Sequence, residues 1–186
     1  MMALGTQAFF DSGLLRALFL GLLFSLPLNA VGESIDSADR VGFSVVKTAS
    51  SAGTQEAFVV ATGSWFTRRH LSQNAVLITH PRGDVLIDSG LGRNIASQFS
   101  ENSFLDRQLF SYENLDPAAD QLERHHYDLG NISKIIPTHL HWDHASGIKD
   151  FPQAEVWVQQ AEYDQAINGK PPEHIPSQID GSAIKW

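Results

Sequence analysis

The sequence predicts an α/β fold, because short apolar strands alternate along the chain with segments that carry helix signals. Residues 85–87 and 132–138 are short, apolar and rich in β-branched side chains, which is typical of buried strands. Asp116 and Pro117 place an N-cap residue before a proline at the first helical position. The 186 residues are 42% hydrophobic and 18% charged, which is enough apolar material for one domain with a core.

Residues 1–30 are predicted to be a secretory signal peptide. Residues 17–28 form an uncharged apolar run that follows Arg16 and precedes a cleavage position after Ala30. The run is short for a membrane span, so we expect no stable span after cleavage and a periplasmic or secreted protein. A buried helix or an uncleaved anchor is the alternative, because Asp11 offsets Arg16. The chain has no cysteine, which is compatible with a bacterial periplasm.

Residues 31–55 are expected to form a polar lead-in and a first strand at residues 41–48, and residues 56–186 the main domain. A second strand is predicted at residues 57–62. The clearest hairpin pairs residues 74–80 with residues 85–88, because the turn between them contains proline followed by glycine.

Residues 94–110 have a loosely helical period and predict a surface helix or lid. Phe104 and Phe110 are expected in the core, since aromatic residues at helical spacing usually pack; the alternative is that they line a substrate entrance. The helix that opens at Pro117 should run to about Tyr127 and lead into the strand at residues 132–138.

The C-terminal part is expected to contain a strand at residues 155–158, a helix at residues 160–167 and mostly loop after residue 170. His70, His80 and His174 are isolated in the sequence and are assigned no metal, since a lone histidine is more often a surface or hydrogen-bonded residue. His125 and His126 are also assigned none, because neighbouring residues on the predicted helix point about 100° apart rather than at one ion.

Four potential metal ligands lie within six residues directly after the strand at residues 132–138: His139, His141, Asp143 and His144. Alternate side chains of extended backbone point the same way, so His139 and His141 are expected to meet at one point. Asp143 and His144 come where residues 145–149 are predicted to begin a short helix, which would carry them toward a second metal position. Imidazole and carboxylate suit zinc, and also iron or manganese. A solvated histidine loop or core imidazoles are the alternative.

The string His-Leu-His-Trp-Asp-His at residues 139–144 resembles the His-x-His-x-Asp-His signature of the metallo-β-lactamase fold. That family usually carries an apolar strand that ends in Asp-x-Gly, and here residues 85–87 run into Asp88-Ser89-Gly90. Asp88 is either a turn or cap residue, or it is a hydrogen-bond acceptor that orients a metal-binding imidazole without binding the metal itself. The resemblance covers roughly residues 56–168 and implies an αββα sandwich of which about the N-terminal half is present.

The resemblance implies that His139 and His141 bind a first metal ion and that Asp143 and His144 bind a second. Two zinc ions are expected in a complete protein, with further ligands well downstream of the signature, so we expect this chain to be the N-terminal part of a longer protein.

The implied activity is hydrolysis of a cyclic or activated acyl bond of a small-molecule substrate by metal-activated water. The local sequence around the signature is most similar to that of lactonase-like members of the family. Asp143 is the expected catalytic residue that orients the nucleophile. A periplasmic β-lactamase with histidine at its second metal, and a truncated remnant that binds metal weakly without catalysis, are the alternatives. The net charge of −8 argues against a nucleic-acid partner. The sequence sets no oligomeric state.

Overall fold

A six-stranded mixed sheet organises the described part of the chain. The computed structural model describes residues 41–181 and 183–186, so the predicted signal peptide at residues 1–30 lies outside the described residues. In their side-by-side order, the strands are β6 (Tyr112–Glu113), β1 (Gly42–Ser51), β4 (Ser72–Thr79), β5 (Asp84–Ile87), β7 (Ile132–Ile136) and β8 (Glu155–Val156). Two further strands, β2 (Thr54–Gln55) and β3 (Arg68–Arg69), pair with each other.

The pairing of β5 with β7 determines where the candidate site lies. Strands β4 and β5 form the predicted hairpin, whose turn is closed by a 2.9 Å hydrogen bond from Gly83 N to His80 O. Strands β5 and β7 are parallel, with Ile87 opposite Ile136. The carboxyl ends of parallel neighbours meet at one edge of a sheet, and Asp88 N accordingly donates to Ile136 O at 3.2 Å. This edge therefore brings the Asp88 loop beside the chain that leaves β7.

Six short helices accompany the sheet in the described residues: α1 (Ile95–Phe99), α2 (Phe104–Leu109), α3 (Ala118–Arg124), α4 (Trp142–Ala145), α5 (Gln160–Asn168) and α6 (Pro176–Ile179). The strand predicted near residue 155 and the helix predicted from residue 160 are confirmed, although β8 is two residues shorter than expected. Within the described ranges, none of the helices combines the length and apolarity that a membrane span needs.

The two faces of the sheet have different surroundings. On one face Leu77, Leu86 and Ile135 are buried in a cluster with residues of α3 and α5 such as Leu122 and Ala166. The opposite face, called here the outer face, is also apolar but is exposed. Its residues include Phe43, Val45, Ile136 and Trp157, whose exposed fractions are 76%, 62%, 36% and 54%. The strand residues of the outer face share one side because Phe43 pairs with Ile78, Ile78 with Val85, and Ile87 with Ile136.

The prediction of a strand at residues 57–62 is wrong. A 3₁₀ turn at Glu56–Phe58 and a left-handed residue at Thr62, with φ 62°, occupy this stretch instead. The Glu56 carboxylate accepts from Ser64 N at 2.9 Å and pairs with Arg69. These polar contacts satisfy the backbone locally, and they outweigh the strand preference of Val59 and Val60.

Two expectations for the helical region are also corrected. Phe104 is 73% exposed and α2 buries no residue, so the core interpretation of Phe104 is wrong, whereas Phe110 packs partly against a buried cluster. Helix α3 ends at Arg124 rather than near Tyr127, and Pro117 occupies its N-cap position. Asp116 therefore lies one residue before the N-cap rather than in the predicted capping role, and its carboxylate accepts a 2.6 Å hydrogen bond from Arg124.

Candidate metal centre

The signature side chains lie on the segment that connects β7 with α4. Leu140 and Trp142 are buried, with exposed fractions of 1% and 9%, and they alternate with the half-buried His139 and His141. This is the alternation that extended backbone produces, and His141 has extended dihedral angles of φ −67° and ψ 156°. The apolar residues therefore anchor the segment in the core and leave both imidazoles at the sheet edge.

The structure brings the four signature residues together. The ring centroid of His139 lies 4.5 Å from that of His141 and 4.0 Å from that of His144. Asp143 Oδ2 lies 3.8 Å from His144 Nε2. Helix α4 begins at Trp142, three residues earlier than predicted, and its first turn carries Asp143 and His144 to the imidazole pair.

Asp88 ties this cluster to the end of β5. Its Oδ1 accepts a 2.6 Å hydrogen bond from Thr138 N, and its Oδ2 lies 2.9 Å from His144 Nδ1. Thr138 Oγ1 contacts both carboxylate oxygens and lies 3.1 Å from His139 Nδ1. A carboxylate bonded to one imidazole nitrogen fixes the ring orientation and leaves the other nitrogen available as a ligand. His144 Nε2 is the free nitrogen in this arrangement.

The loop after β5 adopts a conformation that few residues tolerate. Asp88 has φ 54° and Gly90 has φ 61°, both in the left-handed region. A Cβ at Gly90 would lie 2.2 Å from Thr48 Oγ1, so the position requires glycine. Ser89 Oγ donates to His144 O at 2.7 Å, and Ser89 N donates to the same oxygen at 2.9 Å. The Asp-Ser-Gly loop thus holds both the side chain and the backbone of His144.

Burial and neighbouring charges perturb the titration of the cluster. Burial tends to raise the pKa of Asp88, but the hydrogen bonds from His144 and Thr138 hold that pKa below its ordinary value. Burial tends to lower the pKa of His144, yet Asp88 and Asp143 raise it above the ordinary value. Burial and the nearby His144 and His141 rings lower the pKa of His139. A neutral His139 has a lone pair for a metal ion.

His174, which is assigned no metal from the sequence, is buried instead of lying at the surface. The residue is 2% exposed, and its buried Nε2 has no hydrogen-bond partner among the described residues. Its ring centroid lies 5.0 Å from that of His141 at an interplanar angle of 85°. Glu173 is adjacent, and ligand atoms of His141, Glu173 and His174 all lie within 4.8 Å of one another. No spacing rule links residues this far apart, so only the fold reveals the group.

Other histidines that are assigned no metal lie elsewhere in the fold. His80 lies in the hairpin turn, where its Nδ1 accepts from Arg82 N at 3.0 Å. His125 and His126 are exposed at the end of α3.

The donor set fits a divalent metal ion. Imidazoles and carboxylates converge at one edge of the sheet, and Asp88 orients the ring of His144. In the described part of the chain, the buried His174 Nε2 has no hydrogen-bond partner. Neutral imidazole and carboxylate are the usual non-thiolate ligands of zinc. A cavity of about 350 Å³ adjoins these residues and is lined by Phe58, Phe110, His141, Trp142, Pro172 and Glu173. This volume suits a small molecule.

The chain belongs to the metallo-beta-lactamase superfamily, whose family model matches residues 68–184. The N-acyl homoserine lactonase AttM of Agrobacterium fabrum is 28% identical over 118 residues, which are 59% of this chain and 44% of that protein. A probable metallo-hydrolase of Mycobacterium tuberculosis is 30% identical over 128 residues, which are 68% of this chain and 36% of that protein. The chain thus spans less than half the length of these curated relatives.

Solved structures support the same fold. A probable metal-dependent hydrolase from Staphylococcus aureus aligns with a TM-score of 0.61 at 18% identity, covering 78% of this chain and 57% of that one. An AiiA variant of Bacillus thuringiensis, with N-decanoyl-L-homoserine bound at its active site, aligns with a TM-score of 0.59 at 21% identity, covering 74% and 55%. The mixed sheet and its helices are therefore those of metallo-β-lactamase fold proteins.

Proposed function

We propose that the protein is a metal-dependent hydrolase that opens a lactone or a similarly activated acyl bond. The observation that carries the proposal is the convergence of His139, His141 and His144 with Asp143 at the sheet edge where Asp88 fixes His144. Support for the substrate class comes from relatives named N-acyl homoserine lactonases, of which AttM is one.

His139 and His141 would hold one metal ion, and Asp143 and His144 a second. Zinc is the expected metal, with iron or manganese as alternatives; when bound, it would lower the pKa of water toward about 7 and act as a Lewis acid toward a carbonyl oxygen. Asp88 keeps the His144 ring in one orientation through the 2.9 Å contact with Nδ1. Asp143 is partly exposed beside it and can accept a hydrogen bond from an attacking water.

The cavity beside His141 favours a small acyl substrate. Phe58, Phe110 and Trp142 provide apolar walls, whereas Glu173 is the acidic group of the lining. An acyl chain would pack against the aromatic side chains while the carbonyl faces the histidines. The same apolar walls would accept a β-lactam, so both lactones and β-lactams should be tested as substrates.

The test is turnover by the zinc-loaded protein of N-acyl homoserine lactones, β-lactams and thioesters, with metal content measured on the same samples. We expect lactone opening above the zinc blank, and His139→Ala or Asp143→Asn should lower kcat/KM by at least about 100-fold. His125→Ala, which changes an exposed histidine of α3, is the matched control. Protein that holds zinc but opens no lactone would overturn the lactonase assignment; turnover of β-lactams alone would replace it with the β-lactamase alternative.

We also propose export through the apolar segment at residues 17–28, with cleavage after Ala30. Expression in a bacterial host followed by N-terminal sequencing of the periplasmic fraction tests this. Val31 as the first residue supports export, and the Ala30→Gln variant should then accumulate uncleaved. Recovery of the chain in the cytoplasm with residues 1–30 intact would contradict it.

A further inference from the structure

A second group of potential ligands adjoins the signature and shares one residue with it. His141 faces His139 on one side and His174 on the other, with ring centroids 4.5 Å and 5.0 Å away. Glu173 completes the group, and the ligand atoms of His141, Glu173 and His174 all lie within 4.8 Å of one another. Two imidazoles and one carboxylate form a ligand set that binds zinc or ferrous iron and leaves coordination positions open.

The His174 side chain indicates a bound ligand because its buried Nε2 has no hydrogen-bond partner within residues 41–181 and 183–186. The residue is 2% exposed. Buried polar side-chain atoms nearly always have a partner, so an unpaired nitrogen on a ring whose centroid lies 5.0 Å from that of His141 needs an explanation. A metal ion bound between His141 and His174 supplies one.

Hydrogen bonds and close packing hold the backbone around this group in place. Trp142 N donates to Glu173 O at 2.9 Å, which fastens the Glu173 segment directly to the signature. A Cβ at Gly169 would lie 2.5 Å from His174 Nδ1, so the Nδ1 edge of the ring is closed by backbone. Gln178 Nε2 donates to Trp142 O at 3.1 Å and ties α6 to the same residue. A rigid framework of this kind lowers the cost of ordering the ligands.

We propose that His141, Glu173 and His174 form a zinc-class metal site that does not require His139, Asp143 or His144. The inference goes beyond the proposed hydrolase activity, since it concerns which residues bind an ion rather than which reaction follows. Because His141 belongs to both groups, the two sites compete for it.

The experiment is zinc titration by calorimetry, with cobalt absorption spectroscopy as a second readout of the ligand set. The triple variant His139→Ala/Asp143→Ala/His144→Ala should still bind one ion per chain with an intact far-UV circular dichroism spectrum. Adding His174→Ala should weaken that binding by at least about 100-fold, since loss of mere supporting residues already costs 10–100-fold. His125→Ala in the triple background should leave the affinity unchanged.

The triple variant binding no zinc, or binding it equally well after His174→Ala, would overturn the proposal. Glu173→Gln in the otherwise unaltered protein keeps the test decisive if the triple variant does not fold, because Glu173 is exposed and its change is isosteric. It should shift the cobalt visible spectrum and weaken one binding event by about 10-fold or more. An unchanged spectrum and affinity would also refute the site. The His139→Ala variant distinguishes this site from the proposed function: it should lose turnover but keep the zinc binding that depends on Glu173.

Discussion

Replacing Asp88 tests whether one carboxylate connects the fold to the candidate site. Its side chain is 12% exposed, so water has little access to the groups that it satisfies. Asp88→Ala removes a hydrogen bond from Thr138 N at 2.6 Å and a contact with His144 Nδ1 at 2.9 Å. Hydrogen bonds to a charged group contribute about 1.5–3 kcal/mol each, so the variant should lose about 3 kcal/mol of unfolding free energy.

Asp88→Asn removes the negative charge of the side chain and leaves a residue type that this backbone conformation allows, so it measures the effect of the charge alone. Asparagine tolerates the left-handed conformation at φ 54° and keeps an acceptor for Thr138 N, so the loss should be about 1–2 kcal/mol. With an m value of about 2 kcal/mol/M in urea, the midpoint should fall by about 1.5 M for Asp88→Ala and by less than about 1 M for Asp88→Asn. Both variants should bind zinc about 10–100-fold more weakly, because His144 loses its oriented ring.

The assay combines urea unfolding followed by circular dichroism with zinc calorimetry, and Asp128→Asn is the control. Asp128 is exposed and accepts a 2.8 Å hydrogen bond from Gly130 N, so the same substitution there should change both quantities little. An Asp88→Ala variant within about 0.5 kcal/mol of the parent protein, with normal zinc affinity, would refute the reasoning.

Three further outcomes are expected. Gly90→Ala should cost about 2–4 kcal/mol in urea unfolding, because its Cβ would lie 2.2 Å from Thr48 Oγ1 at a left-handed φ; an unchanged midpoint would contradict the close approach. Tyr127→Phe should lose about 1 kcal/mol through its hydrogen bond to Asp84. Burial and Asp84 raise the pKa of Tyr127 above its ordinary 10.0, so the folded protein keeps the tyrosine proton to a higher pH than the unfolded chain does. The free energy of unfolding should therefore fall as the pH rises above 10. The phenylalanine variant should lack that part of the fall when unfolding is measured as a function of pH. Excess zinc should raise the thermal midpoint and a chelator should reverse the rise, and no shift in either direction would speak against a bound ion.

Local patterns in the sequence predicted the framework of the site. The hairpin followed from the Pro-Arg-Gly turn between two apolar runs, and β7 followed from a β-branched run that leads to His139. Alternation then predicted that His139 and His141 share one side. These features depend on residues close in the chain, and the periods of extended backbone and turns are fixed by local sterics.

The residues that were missed depend on contacts between distant parts of the chain. His174 is a lone histidine after two prolines, and its significance comes from burial beside His141, which no local period reveals. The turn at Glu56 replaced a strand because its carboxylate reaches Ser64 N and Arg69. Asp88 gave two interpretations in the sequence, and the register of β5 against β7 is what places it at Thr138 and His144.

The outer face of the sheet has a practical consequence for handling the protein. Phe43, Val45 and Trp157 present apolar surface to water, while a net charge of −8 keeps copies apart by repulsion. Added salt screens that repulsion, and sulfate or phosphate also strengthens the association of apolar surface. Both effects act in the same direction, so light scattering should rise with ionic strength, and the protein should keep best in dilute, low-salt buffer, where its acidic charge is least screened.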